Sequence, residues 1–138
     1  MKPVLQAIYN VLTQDLELAG LLSSYGGSPA VFLGVAPEKA QPPYVVLHVV
    51  SCVPEDPPAL SRMILAADVF DRSNSAVKAL QVMARIEKLL DYAKPAAQGL
   101  TIASVLRDFG ELVPEDDREI QHGHLEFTVL FGREDIYG

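Results

Sequence analysis

Tryptophan is absent from this 138-residue chain, cysteine occurs once and histidine three times. A single cysteine, Cys52, rules out an intrachain disulfide and fits a reducing compartment. It sits in an apolar stretch without an activating basic neighbour, so an inert, packed thiol is expected. No run of ~18 apolar residues exists, which excludes a helical membrane span. Met1-Lys2-Pro3 leads into an apolar pattern broken by Gln6, Asn10 and Gln14. That is a folded helix rather than the unbroken core of a signal peptide, and the expected location is the cytoplasm of the producing cell. Cations are also scarce. Eleven Lys and Arg face eighteen Asp and Glu, for a net charge of −7. They are scattered, so a grip on duplex DNA through its phosphates is excluded, while an acidic surface past which DNA slides is compatible.

Catalytic signatures are missing as well. Ser23, Ser24, Ser51 and Ser61 lack the strand-to-helix elbow that exposes a nucleophile. Gly26-Gly27 matches neither a Walker loop nor a dinucleotide fingerprint. The acid-rich stretch 111–119 lacks the alternating order and terminal glutamate of a calcium loop, so it reads as a solvated hairpin tip. His122 and His124 share one face of a strand, and Glu126 continues the row. They are the best metal candidates, and Asp68 could join them only if its strand lies alongside. With no further His or Cys set to complete a site, the expectation is no enzyme, no cofactor and at most weak metal binding.

What is present is a sequence of apolar blocks. Val4, Leu5, Ile8, Tyr9 and Leu12 recur at helical spacing behind Pro3, and Thr13-Gln14-Asp15 offers a cap for a second short helix at 16–22, so residues 3–22 open the fold as helix. A short strand follows at 31–33. The prolines at 42 and 43 introduce a long apolar strand at 44–53, whose nearly continuous hydrophobicity implies two covered faces or a subunit contact. Residues 54–61 carry three prolines and two acids and read as an extended loop. Strand 62–70 leads to an amphipathic helix at 76–92 with Ala76, Ala79, Leu80, Met83, Ile86 and Leu90 on its inner stripe. Its outer face carries Lys78, Arg85 and Lys88, read as solvated. Strands 100–109 and 122–131 end the chain around a polar connection at 110–121, the second alternating Leu125, Phe127, Val129, Phe131 inward with His122, His124, Glu126, Thr128 outward. The sum is a single α+β domain spanning 1–138, with an antiparallel sheet of four to five strands and one long helix on a face.

The ordered set of blocks resembles the tail-completion proteins of long-tailed phages, also called tail-terminator or tail-to-head joining proteins. The resemblance lies in Leu5-Gln6-Ala7-Ile8-Tyr9, in Val31-Phe32 with Val35-Ala36-Pro37, and in Pro43-Tyr44-Val45-Val46. It continues through Ala67-Asp68-Val69-Phe70-Asp71-Arg72 and His122-Gly123-His124-Leu125-Glu126-Phe127. It implies a structural ring, usually of six copies, that caps a finished tail tube and accepts the head. The implied partners are other copies of the chain, the tail tube protein and a head–tail connector protein, with DNA only in transit. The implied places are the host cytoplasm during assembly and then the virion. The assembly surfaces expected on this reading are the two acid-bearing loops, with Pro54, Glu55 and Asp56 in one and Glu111, Glu115, Asp116, Asp117, Arg118 and Glu119 in the other. Two alternatives stand beside it: a stand-alone dimeric module that binds a small molecule or peptide on its sheet, and a metal-dependent hydrolase built on His122, His124 and Glu126.

Overall fold

The structure, a computed structural model, describes residues 1–55 and 60–133. Two helices open it, α1 (Lys2–Thr13) and α2 (Leu16–Leu21). Pro3 lies in the first turn of α1, where its missing N–H costs nothing. Gln14 closes the first helix and Asp15 caps the second, accepting a hydrogen bond from Leu18 N at 2.8 Å. A two-residue hairpin, β1 (Ser24–Tyr25) and β2 (Ser28–Pro29), leads into β3 (Val31–Leu33), β4 (Tyr44–Pro54) and β5 (Leu60–Arg72). Helix α3 (Val77–Leu90) then crosses to β6 (Leu100–Val113) and β7 (Ile120–Arg133).

The five long-sheet strands lie in the order β3-β4-β5-β7-β6. Pairing is antiparallel except at one edge, where β3 runs parallel to residues 45–47 of β4. All three helices cover a single face. The core lies between them and the sheet: Val4, Ile8 and Leu12 from α1, Leu18 from α2, Val82, Ile86 and Leu90 from α3, and the alternating Met63, Leu65, Ala67, Val69 and Leu125, Phe127, Val129 from the central strands. Burial of each large apolar side chain in such a core stabilises by about 1.5–3 kcal/mol.

Four sequence expectations change. Leu80 does not belong to the inner stripe; it is 47% exposed, and Val82 takes the buried place. The stripe follows Ala79, Val82, Met83, Ile86 and Leu90, so the helix is rotated by part of a turn from the arc first drawn. Arg85 is not merely solvated. Its Nε and Nη2 donate to the two Asp15 oxygens at 2.9 and 2.7 Å, and its Nη1 meets Glu17 at 2.7 Å. A forked, planar contact of this kind fixes the angle between α2 and α3. The segment after residue 53 is strand for longer than its prolines indicated: Pro54 closes β4 opposite Ser61, and β5 starts at Leu60. Finally, Cys52 is exposed. The second half of β4, from Val50 to Pro54, is exposed, with Val50 and Val53 about half accessible among the described residues.

Candidate functional site

The sheet face away from the helices carries the polar chemistry. Strand alternation brings Ile64, Ala66, Asp68 and Phe70 of β5 to that face, and His122, His124 and Glu126 of β7 beside them, with Asp68 directly opposite His124 and Phe70 opposite His122. On the other side Val46 of β4 stands opposite Asp68, which places His48 diagonally from it. All three histidines therefore reach one carboxylate.

Asp68 Oδ1 lies 2.7 Å from His122 Nε2 and 2.7 Å from His124 Nδ1, and Oδ2 lies 2.7 Å from His48 Nε2. Each of the two β7 rings has a second carboxylate on its remaining nitrogen: Glu115 at 2.8 Å from His122 Nδ1, and Glu126 at 2.7 Å from His124 Nε2. Burial opposes the charged form of Asp68, yet the hydrogen bonds from His124, His122 and His48 outweigh it and hold the carboxyl below its ordinary range. His124 moves the other way. Burial disfavours its cation, but Glu126 and Asp68 outweigh that cost and raise its pKa.

Aromatic rings frame the cluster. Tyr25, Phe32, Tyr44, Phe70 and His122 form a continuous row across the strands, ending in a stacked Phe70–His122 contact with centroids 4.3 Å apart. Phe109 lies 5.9 Å from His124. A depression of about 490 Å³ opens beside His48 and Asp68, lined also by Val35, Tyr44, Val46 and Phe70. A hollow of equal volume between α1 and residues 96–98 is lined by Gln6, Asn10 and Gln98, and offers only Lys2 as a charged group.

The expected assembly residues fall in different places. Pro54 is in strand, Glu55 meets Arg62 at 2.5 Å, and Asp56 lies outside the described residues. Glu111 is likewise not in the loop: β6 continues to Val113, and Glu111 stands opposite His124. The connection is thus 114–119, and it is tied down. Asp117 and Glu119 hold Arg72 at 3.5 and 3.2 Å, Ser73 N donates to Glu119 O, and Glu115 reaches His122. Asp116 and Arg118 are exposed, the Arg118 carbonyl accepting from Gln121 Nε2.

Asp68 is the residue whose role the sequence left open. Its strand placement could be read; its neighbour could not, because β7 pairs with β5 across an intervening helix and strand. The signal was a lone acid in an otherwise apolar run, Met63 to Phe70.

Residues 6–132 match the family described as tail completion protein gp17. The chain belongs to that family. Its role is accordingly that of a structural phage protein, as the sequence resemblance implied. None of the curated proteins matches it in sequence. Among solved structures, this family member superposes on a chain from the "Virion of native gene transfer agent (GTA) particle" with a TM-score of 0.76, 18% identity and 92% of each chain covered. At that identity the likeness is one of fold, and it extends over nearly the whole architecture described above.

Proposed function

We propose that the chain closes into a ring, of six copies on the family resemblance, which caps the completed tail tube and forms the joint to the head. Its role is structural rather than catalytic, its partners are its own copies, the tail tube protein and the head–tail connector, and DNA only passes through. It assembles in the host cytoplasm and ends in the virion.

The observation that carries this reading is the pair of open sheet edges. Strand β3 pairs with residues 45–47 of β4, no described strand pairs with residues 48–54 on that side, and apolar Val50 and Val53 stand exposed in that stretch. At the opposite end of the sheet no further strand among the described residues pairs with β6, whose edge is capped at Val105 O by Tyr92 N and at Arg107 N by the Asp91 carboxylate, and it carries exposed Leu106, Phe109 and Leu112. Unpaired strand edges are templates for another chain. Two different edges on opposite sides suit a head-to-tail contact, the kind that closes rings, better than the self-complementary patch of a dimer. Six copies at −7 each carry −42, a field that keeps DNA phosphates from adhering during transit.

Electron microscopy of the chain assembled on tail tubes tests the reading directly: a closed ring at the tube end is expected, and a two-fold dimer would refute it. Shortening the 114–119 connection probes the joint. A shorter connection changes closure entropy little, so the fold and tail length should be retained while tails fail to join heads. Infectious particles at normal yield from that variant would remove the loop from the working surface.

A further inference from the structure

The outer-face cluster asks for an explanation of its own, independent of ring assembly. We propose that Asp68, His122 and His124 form a binding site for a divalent transition metal of the zinc, cobalt and nickel class. The expectation of weak binding rested on the lack of a further ligand near the two histidines, and the β5–β7 pairing supplies it. One donor atom from each residue lies within 4.8 Å of the others. Donors around tetrahedral zinc sit roughly 3.3 Å apart, so the two 2.7 Å contacts to Asp68 Oδ1 need to open by only about half an ångström to admit an ion. Two imidazoles and one carboxylate are the donor set that suits such ions, whereas magnesium and calcium require more oxygen atoms than the site offers.

The surroundings match a metal site in a second, separate way. A ligating histidine typically donates its far N–H to a carboxylate, which fixes the ring and its tautomer. Both rings here have that partner: Glu115 on His122 Nδ1 and Glu126 on His124 Nε2. These contacts aim Nε2 of His122 and Nδ1 of His124 at the same Asp68 oxygen. The ligands stand on paired strands rather than on loops, so the ladder itself holds them in place. His48, on the other oxygen of Asp68 and 39% exposed in its side chain, is available as a fourth donor or leaves that side open to water. Binding needs His122 Nε2 and His124 Nδ1 as free lone pairs, so any proton held on either is released to solvent when the ion arrives.

Calorimetry on the full chain, free of any affinity tag and stripped of metal, tests the proposal with zinc, cobalt and nickel chlorides. One ion per chain at micromolar affinity or tighter is expected, with visible cobalt bands that report nitrogen ligation, and no heat from magnesium or calcium. Asp68→Asn, His122→Ala and His124→Ala should abolish stoichiometric binding, and Glu126→Gln should weaken it about 10–100-fold. Absence of a stoichiometric site in the wild type, or wild-type affinity in His122→Ala and His124→Ala, would overturn the assignment. Folding of each variant is read by circular dichroism. Should a ligand variant unfold, the imidazole NMR signals of the wild-type chain decide: zinc must shift those of His122 and His124, and unshifted rings refute the site.

Discussion

Helix α3 approaches the sheet over two glycines, and replacing one of them gives a test of the packing whose sign changes with context. A Cβ built on Gly123 would lie 2.3 Å from Met83 Sδ and 2.9 Å from its Cγ. Ordinary carbon contacts are about 3.5–4.0 Å, so the methionine must vacate the space. It has little room. Met83 is 6% exposed, and a Cβ on Gly110 would meet its Cε at 3.7 Å and Leu125 Cδ2 at 2.6 Å. Gly123→Ala should therefore cost about 1–3 kcal/mol, the usual range for overpacking. Met83→Ala alone should cost about 2–5 kcal/mol through the cavity it leaves. In that background the added methyl finds open space, and the φ of Gly123 is not in the left-handed region. There Gly123→Ala should be neutral or stabilise by about 0.4–1 kcal/mol, since alanine restricts the unfolded chain. Urea unfolding of the four proteins, followed by far-ultraviolet dichroism, measures the cycle. An equal cost of Gly123→Ala in both backgrounds would refute this account of the helix–sheet contact.

Further predictions follow from the corrected helix and the ion pairs. Leu80→Asp should leave a soluble, cooperative fold with a loss of about 0.5–1 kcal/mol, whereas Ile86→Asp, at a fully buried position, should lose more than about 4 kcal/mol; thermal unfolding distinguishes them. Asp15 is held below its ordinary pKa chiefly by the Arg85 hydrogen bonds, against the cost of burial. Its stabilisation is therefore present above about pH 3.9 and lost as pH falls through the lowered folded value, so Asp15→Asn should be less stable at pH 7 and the gap should close on acidification. Asparagine can still cap Leu18 N, so a gap that persists at low pH would refute the charge of Asp15 as its source. Exposed Cys52 should react with a thiol reagent in the native chain at close to the rate of a free thiol, and strong protection would contradict its placement.

Much of the architecture could be read from periodicity because each element obeys a local rule. The strict alternation from His122 to Phe131 placed both faces of β7 correctly, and Pro3 and the Thr13-Gln14-Asp15 stretch marked helix starts that the structure keeps, with Asp15 the capping member. Failures arose where a neighbour decides. Leu80 has the hydrophobicity of a core residue, but which arc of α3 meets the sheet depends on where Gly110 and Gly123 admit it. The apolar run of β4 hid the point at which burial ends. The histidine pair was visible and its partner Asp68 was named, yet their contact arises from a β5–β7 register that no local pattern encodes.

That central ladder also bears on the order in which the chain folds. Strands β4 and β5 are close in sequence, as are β6 and β7, so each pair can zip across a short sequence separation. Strands β5 and β7 join along the whole length of β5 only after α3 and β6 have been spanned. Closing so long a loop is entropically slow compared with zipping a hairpin. The two hairpins are therefore expected to form early and separately, with the middle of the finished sheet made last; pulse-labelling exchange that protects the β5–β7 amides first would refute this order. Until that middle is made, Asp68 and His124 belong to different halves of the molecule, and the outer-face cluster is assembled by the final step of folding.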